Sequence, residues 1–322
     1  MGTHPPVSIC LVTYNRAKLL PLTLDSILEQ TFGDYELIIS DDCSDDATEE
    51  ICRTYAKRES RIRYLRNENN LGMPGNLNAS LKTATGVYVA IMHDGDIYRS
   101  DCIAKWKGAL DKYPSAGFVF NSYRTYIKNK EIIYKETHSP IISGLELGRR
   151  LLARWDSCVY GTVMVRKQVF DRLGYFDPQF GNFADVDMWL RVARKFDVAF
   201  INAPLITLMP RDPTRLYASV HWKVTFWVLG MHVANLRRYR QNLPDFVEEM
   251  AKRYYQRRRS YILHDIMICL KHRRWDCLRE ALAIWRDADD PLLRGLGTLL
   301  GRDKDKPNWY NCSYWEMASL KK

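Results

Sequence analysis

Residues 7–13 read VSICLVT, an apolar run rich in β-branched residues that predicts a buried strand. A stretch with leucines at helical spacing follows over 17–30, and a second apolar run, YELIIS, covers 35–40. The alternation continues with a helical stretch after Asp46, a strand at 62–66, a loop rich in Asn, Gly and Pro at 67–76, a small helix near 77–84 and a strand at 87–92. This β-α-β-α order predicts an α/β fold with a mostly parallel sheet flanked by helices.

The second half of the chain is less regular. The expected elements are helices at 101–113, 144–153 and 185–195 and strands at 116–126, 131–134 and 161–166. After Pro213 the pattern changes to long helical stretches with many arginine and aromatic residues. We therefore expect one α/β domain over 1–215 and a C-terminal helical region over 216–322.

The composition limits the class of protein. Hydrophobic residues at 46% and charged residues at 27% exclude a disordered or collagen-like chain. The net charge of +10 favours anionic partners such as nucleotide phosphates, lipid head groups or nucleic acid, without choosing among them. The longest apolar stretch, 224–236, is shorter than the roughly 20 residues that span a bilayer. With no basic-then-apolar leader at the start, we expect a soluble or peripheral protein.

Three polar clusters follow predicted strands: Thr13-Tyr14-Asn15, Asp41-Asp42 and 94–96 (DGD). The carboxyl ends of parallel strands meet at one edge of a sheet, and ligands bind there where the strand order reverses. We therefore expect the three clusters to lie around one ligand.

Asp94 and Asp96 flank a single glycine directly after an apolar strand. Two carboxylates suit Mg²⁺ or Mn²⁺ bridging to a diphosphate, because these ions take one or two protein carboxylates and fill the rest with substrate and water. The alternative is structural, since Asp-Gly is a favoured turn dipeptide.

Asp41 and Asp42 also allow two interpretations. Aspartate often prepares the start of a helix, but Asp45 and Asp46 lie nearer the next helix and can do that. A carboxylate at 41 or 42 could instead accept a hydrogen bond from the N3–H of uracil or from a ribose hydroxyl.

Several familiar motifs are missing. The sequence has no G-x-G-x-x-G after the first strand and no G-x-x-x-x-G-K-[ST], so the phosphate charge must be neutralised by a metal or by basic side chains such as Arg66 or Arg211. Zinc hydrolases and serine esterases also lack support, because H-E-x-x-H, paired cysteines and G-x-S-x-G are absent.

Taken in order, the motifs resemble those of family 2 glycosyltransferases with the GT-A fold, over roughly residues 7 to 210. The matching segments are 12–16 (VTYNR), 38–45 (IISDDCSD), 66–76 (RNENNLGMPGN), 93–96 (HDGD), 174–177 (GYFD) and 184–191 (ADVDMWLR). The resemblance implies a nucleotide-binding half over 1–100 and an acceptor half over 101–215.

The resemblance also implies roles for single residues. Thr13, Tyr14 and Asn15 are expected to contact the nucleotide, with Asp42 on the base, Asp41 beside it or on the ribose, and Arg66 near the base or phosphates. Asp96 is expected to be the direct ligand of Mn²⁺ or Mg²⁺, and Asp94 to lie near the ribose or the metal. Asp185 is expected to be the catalytic base. The chain departs from the family pattern at Ala184, where the family commonly has Glu.

Some candidates keep a structural alternative. Asp185 could be the N-cap of a helix over 186–195. Asp187 could be structural or could contact the acceptor. Arg211 and His221 could contact phosphate or acceptor, although lone histidines are more often packing groups.

The C-terminal region mixes basic and aromatic residues, as in 252–259 (KRYYQRRR) and 273–275 (RRW). A solvated helix face is the default interpretation, and peripheral contact with anionic lipid is the alternative. No nucleic-acid-binding motif accompanies the charge, so no nucleic acid partner is expected.

These observations lead to one main hypothesis: a metal-dependent inverting glycosyltransferase that moves a sugar from a nucleotide sugar, by preference a UDP-sugar, to a saccharide or lipid-linked acceptor in polysaccharide or glycoconjugate synthesis. We expect it in the cytoplasm, with the inner face of the membrane as the alternative site. Two further classes stay open, a sugar-1-phosphate nucleotidyltransferase and a non-catalytic protein that binds sugar nucleotides.

Overall fold

The structure is a computed structural model. It describes residues 4–127, 130–134, 138–153, 157–159, 162–209, 231–232, 234–251, 253, 270–271 and 275. The chain divides into two compact units, Met1–Asp212 and Pro213–Lys322. In the described part of the second unit, residues 234–239 and 244–251 are helical.

The first unit alternates strands and helices. Its strands are β1 (Val7–Thr13), β2 (Tyr35–Asp41), β3 (Ile62–Arg66), β4 (Tyr88–His93), β5 (Asp96–Tyr98), β6 (Ala116–Ile127), β7 (Lys130–Tyr134), β8 (Ile141–Ile142), β9 (Val163–Arg166) and β10 (Asp197–Leu208). Its helices are α1 (Leu20–Leu28), α2 (Thr48–Arg58), α3 (Gly72–Thr83), α4 (Cys102–Lys112), α5 (Gly144–Ala153), α6 (Lys167–Leu173) and α7 (Ala184–Ala193), with a 3₁₀ helix at Pro178–Phe183.

The strands form one mixed sheet. Its order is β3-β2-β1-β4-β9-β6-β10-β5, with β7 on β6 and β8 on β10. The first four strands pair in parallel, as the sequence pattern predicts. Strand β9 runs antiparallel to both of its neighbours, β4 and β6. The expected α/β fold with a sheet flanked by helices is therefore confirmed, and its parallel pairings lie among β1–β4 and between β6 and β10.

Strand β1 is buried along its whole length because helices cover both faces of the sheet. Alternate side chains of a strand point to opposite faces. Ile9 and Leu11 accordingly pack in one core with Leu24 and Ile27 of α1. On the other face, Cys10 contacts Ser80 of α3, and burial raises the pKa of its thiol to about 12.

The expected loop at 67–76 needs correction, and the sequence pattern did not predict β5, β8, β10 or α6. The predicted loop at 67–76 ends early, because α3 starts at Gly72 rather than near Leu77. The side chain of Asn70 accepts a hydrogen bond from the Gly72 N–H (3.0 Å). Pro74 is tolerated in the first turn because the N–H that proline lacks would have no intrahelical acceptor there. Strand β5 was not predicted, since its three residues pair only with the distant β10.

None of the helices in the described residues is both long and apolar enough to cross a membrane. The described cysteines, at positions 10, 43, 52, 102 and 158, are free thiols.

Two glycines give a matched test of the packing. A Cβ on Gly144, the first residue of α5, would overlap the carbonyl oxygens of Ala193 and Phe196, whereas a Cβ on Gly108, exposed on α4, meets nothing within 4 Å. Gly144→Ala should lower the free energy of unfolding by about 3 kcal/mol, and Gly108→Ala should raise it by about 0.5–1 kcal/mol. Denaturant unfolding of both variants measures the difference. Equal stabilities would contradict the close contact of α5 with the end of α7.

Candidate functional site

The carboxyl ends of β1, β2 and β4 lie side by side. In the register, Thr13 pairs with Asp41 and Val12 pairs with His93. The three polar clusters therefore share one edge of the sheet. The strand order reverses between β1 and β4, which is where open α/β sheets form a ligand crevice.

The loop after β1 is fastened to the loop after β2. Asn15 adopts a positive φ of 50°, its N–H donates to the Ser44 hydroxyl (2.9 Å), and its side-chain oxygen accepts from the Asp45 N–H (2.9 Å). The Ala17 N–H donates to Asp46 (3.1 Å). The side-chain oxygen of Asn15, a candidate nucleotide contact, is therefore already used to hold the loop after β2.

Asp41 is fully buried and saturated with donors. Its carboxylate accepts hydrogen bonds from the Tyr64 hydroxyl (2.7 Å), the Ser44 N–H (3.0 Å) and the Arg66 guanidinium (2.9 Å). Arg66 also lies 3.3 Å from Glu49. The expected contact of Asp41 with ribose would have to displace one of these donors, whereas Arg66 keeps an exposed part of its side chain. The repulsion expected between neighbouring acids is relieved by these donors.

Asp42 is also buried, at 3% exposure, but it bonds to neutral groups. The Leu71 N–H (2.8 Å) and the Asn67 amide (3.0 Å) donate to its carboxylate. Burial is the main cause that raises its pKa, and the hydrogen bonds oppose the rise. The loop between β3 and α3 therefore folds over Asp42.

Asn76 links these loops and is not among the site residues that the sequence predicts. Its buried amide donates to the Ser40 carbonyl (2.9 Å) and the Thr13 carbonyl (3.4 Å). Its oxygen accepts from the Ser40 hydroxyl (2.6 Å) and the Asn67 amide (3.0 Å). The signal that the sequence offered was its place at the end of the segment 66–76, which resembles the family pattern.

Thr13 and Tyr14 lie at the centre of this edge. Thr13 is 2% exposed, and within the described residues its hydroxyl has no hydrogen-bond partner. The Tyr14 N–H donates to the Asp94 carboxylate (3.2 Å), and partial burial raises the pKa of the Tyr14 phenol.

Asp94 and Asp96 sit on a tight turn around Gly95, which has a φ of 81°. The side chain of Asp94 is 14% exposed and lies 3.5 Å from the Arg16 guanidinium, while Asp96 is 1% exposed. Asp94 is thus the more accessible of the two carboxylates. Arg16, which was not among the predicted site residues, brings a positive charge to them.

The two carboxylates alone are a limited donor set. Across the described ranges, no group of three or more His, Cys, Asp or Glu side chains is placed to hold a metal ion. A pair of oxygen ligands on one turn still fits Mg²⁺ or Mn²⁺, because these ions are commonly held by one or two carboxylates together with substrate oxygens and water.

Asp185 lies in the first turn of α7. The helix begins at Ala184, with Phe183 as its N-cap, so the N-cap alternative for Asp185 is wrong. The partly buried carboxylate accepts from the Val186 N–H (2.7 Å), and desolvation by burial raises its pKa to about 6. A carboxylate with such a pKa can take up a proton near neutral pH.

Asp187 has a structural role in this arrangement. It is fully buried and forms an ion pair with Arg191 one turn later (2.8 Å). The same guanidinium donates to the carbonyls of Leu173 (2.6 Å) and Tyr175 (2.7 Å). The structural alternative therefore accounts for Asp187, and an acceptor contact does not fit its burial.

Arg211 and His221 lie outside the described residues, as does most of the basic segment at 252–259. Their expected contacts with phosphate, acceptor or lipid stay predictions.

The strand order and the polar edge are those of the GT-A fold, the α/β fold of many glycosyltransferases. S. aureus TarS 1-349 in complex with UDP-GlcNAc superimposes with a TM-score of 0.64 over 90% of this chain and 83% of that one, at 16% identity, which supports the fold. The family model of glycosyl transferase family 2 matches residues 8–174. The chain belongs to glycosyl transferase family 2.

Relatives differ in how much of them this chain spans. "UDP-Glc:alpha-D-GlcNAc-diphosphoundecaprenol beta-1,3-glucosyltransferase WfgD" of Escherichia coli is 27% identical over 84% of this chain and 96% of that protein. The "Putative teichuronic acid biosynthesis glycosyltransferase TuaG" of Bacillus subtilis is 28% identical over 61% of this chain and 75% of that protein. The chain spans only 29% of an "Uncharacterized glycosyltransferase" of Rickettsia bellii, at 26% identity.

The two neighbouring aspartates should respond differently to the same change. Asp41→Asn removes the charge that pairs with Arg66, so the free energy of unfolding should fall by about 2 kcal/mol, less than for a pair that is buried on both sides. Asp42→Asn removes a charge that burial already disfavours, so stability should change by less than about 1 kcal/mol. UDP affinity should instead fall about tenfold, if Asp42 contacts the base.

Thermal unfolding and calorimetric titration with UDP measure both effects. The opposite pattern, with Asp41→Asn stable but unable to bind UDP, would show that the roles of the two carboxylates are exchanged.

Proposed function

We propose that this protein transfers a sugar from a nucleotide sugar, by preference a UDP-sugar, to a hydroxyl group of a saccharide or lipid-linked acceptor, with inversion at the anomeric carbon. The observation that carries the proposal is the shared edge of β1, β2 and β4, where Thr13, Asp42 and Asp94 lie at or just after the strand ends, next to the reversal of strand order. Membership of family 2 supports the reaction class.

The donor would bind along this edge. Asp42 would accept from the base, and Thr13 and Tyr14 would contact the nucleotide. The buried Thr13 hydroxyl supports this placement, because a buried polar group without a partner is costly unless something binds it. The Arg16 guanidinium beside Asp94 adds positive charge where a diphosphate needs it.

Asp94 and Asp96 would hold Mn²⁺ or Mg²⁺. When bound, such an ion supplies positive charge that offsets the charge developing on the departing diphosphate. The protein's own contribution is to present the two carboxylates on the rigid turn at Gly95.

Asp185 would be the catalytic base. In the proposed step, the acceptor hydroxyl forms a new bond to the anomeric carbon, its proton passes to the Asp185 carboxylate, and the bond to the diphosphate oxygen breaks with its electron pair leaving on the nucleotide. A single displacement of this kind inverts the anomeric carbon. Its transition state has oxocarbenium character, by analogy with glycoside hydrolysis.

One relative supports a proposal for the acceptor class. WfgD is named for transfer to a sugar on diphosphoundecaprenol, and it aligns over most of this chain. We extend the same acceptor class, a lipid-linked saccharide, to this protein. The basic C-terminal segments would then meet anionic lipid from the cytoplasmic side, since basic residues gain roughly 1 kcal/mol each near such a surface.

Slow hydrolysis of the donor tests the function without knowledge of the acceptor. The purified protein with Mn²⁺ should release UDP from at least one UDP-sugar, and EDTA should abolish the release. Asp96→Ala should show the same loss without a change in thermal stability beyond a few degrees. A nucleotidyltransferase would instead make pyrophosphate from UTP and a sugar 1-phosphate, and a non-catalytic binding protein would release nothing from any nucleotide sugar.

Asp185 should give a pH signature. Because burial raises its pKa to about 6, the base is deprotonated above that pH, and the transfer rate should fall as the pH drops through about 6. Asp185→Asn should lower kcat at least about 100-fold while UDP affinity stays within about twofold of the wild type. Initial rates from pH 5 to 8 with calorimetric UDP binding measure this, and an Asn variant that keeps the wild-type rate would exclude Asp185 as the base.

A further inference from the structure

The side chain of Asn78 on α3 forms two hydrogen bonds with the backbone of Phe176, a residue far away in the sequence. Its Nδ2 donates to the carbonyl oxygen of Phe176 (2.7 Å), and its Oδ1 accepts from the N–H of the same residue (3.0 Å). These residues are 98 positions apart in the sequence. A side-chain amide that satisfies both polar groups of one residue fixes that residue's position and orientation.

The same backbone is held from its other side by α7. Arg191 donates to the carbonyls of Leu173 and Tyr175, and it is anchored by the fully buried Asp187. The ring of Phe176 is 2% exposed and meets Trp189 edge-on at 5.8 Å. The segment 173–176 is therefore clamped between α3 and α7.

The clamp lies a short distance along the chain from the proposed base. After Phe176, the side chain of Asp177 accepts from the Gln179 N–H (3.0 Å), and the 3₁₀ helix that follows runs directly into Ala184 and Asp185. Asp185 thus follows Phe176 by nine positions, along a segment that bends at Gly181 (φ 50°).

Helix α3 serves the donor side with a second asparagine. Asn76 binds the carbonyls at the ends of β1 and β2, and Asn78 follows two residues later. Successive residues of a helix are about 100° apart, so the two side chains point to nearly opposite sides of α3. One helix thus contacts the loops of the donor site and the segment that leads to the base.

We infer that Asn78 is a positioning residue: it sets the segment that carries Asp185 relative to the donor site, so that the base faces the sugar. The inference rests on the proposed function. It assigns Asn78 no contact with the donor or the acceptor, because both of its amide atoms are used on Phe176.

Asn78→Ala should separate catalysis from donor binding. We expect kcat for transfer, or for UDP-sugar hydrolysis, to fall about 10- to 100-fold, as expected when a reacting group is misplaced by about 1 Å. The Kd for UDP should stay within about twofold, and the acid limb of the pH profile should move because the burial of Asp185 changes. Amide exchange in peptides covering 173–186 should accelerate, with β1 unchanged.

Asn202→Ala is the matched control, since Asn202 is exposed on β10 and lies outside the proposed site. It should keep the wild-type kcat and exchange. If Asn78→Ala does not fold, Asn78→Ser, which retains one hydrogen-bonding group, is measured in the same way.

A kcat for the Asn78 variant equal to that of Asn202→Ala would overturn the inference, and so would a parallel loss of UDP affinity. Either result leaves the proposed function standing if the wild type transfers sugar. A wild type that turns over no nucleotide sugar would instead overturn the proposed function, and the positioning role with it.

Discussion

The buried amide of Asn76 is the contact on which the candidate site depends. Parallel strands that end side by side leave backbone carbonyls pointing into the space between their loops, and buried carbonyls need donors. Asn76 reaches the carbonyls of Thr13 and Ser40 and also accepts from the Ser40 hydroxyl and from Asn67. One side chain thereby joins the ends of β1 and β2 to the loop after β3.

The acidic residues of the candidate site are stabilised in two different ways. Asp41 has a guanidinium partner in Arg66, and Asp94 has one in Arg16, 3.5 Å away. Asp185 receives hydrogen bonds from backbone N–H groups, and its burial raises its pKa. Asp185, whose pKa is raised to about 6, can exchange a proton near neutral pH, which matches the catalytic role that we propose for it.

The first four strands, their parallel arrangement and the shared edge could be predicted from the sequence, because apolar runs and polar strand ends are local signals. The partners of the acids could not, since the Arg66–Asp41 pair and the grip of Asn78 on Phe176 join residues far apart in the chain. The early start of α3 was missed for a different reason. Its first turn contains Gly, Pro and Gly, which have low helix propensity. The hydrogen bond to the Asn70 side chain and the burial of residues further along α3, such as Leu77 and Leu81, stabilise the helix there.

Strand β9 links the early and the late part of the first unit. It follows residue 160 in the chain, yet it is inserted antiparallel between β4 and β6. A fragment ending near residue 100 would leave the whole edge of β4 open, and exposed strand edges recruit foreign strands. The two parts are therefore not interchangeable modules. Recombination between relatives that exchanged the later part of this unit would have to include β9, or replace its pairing with β4.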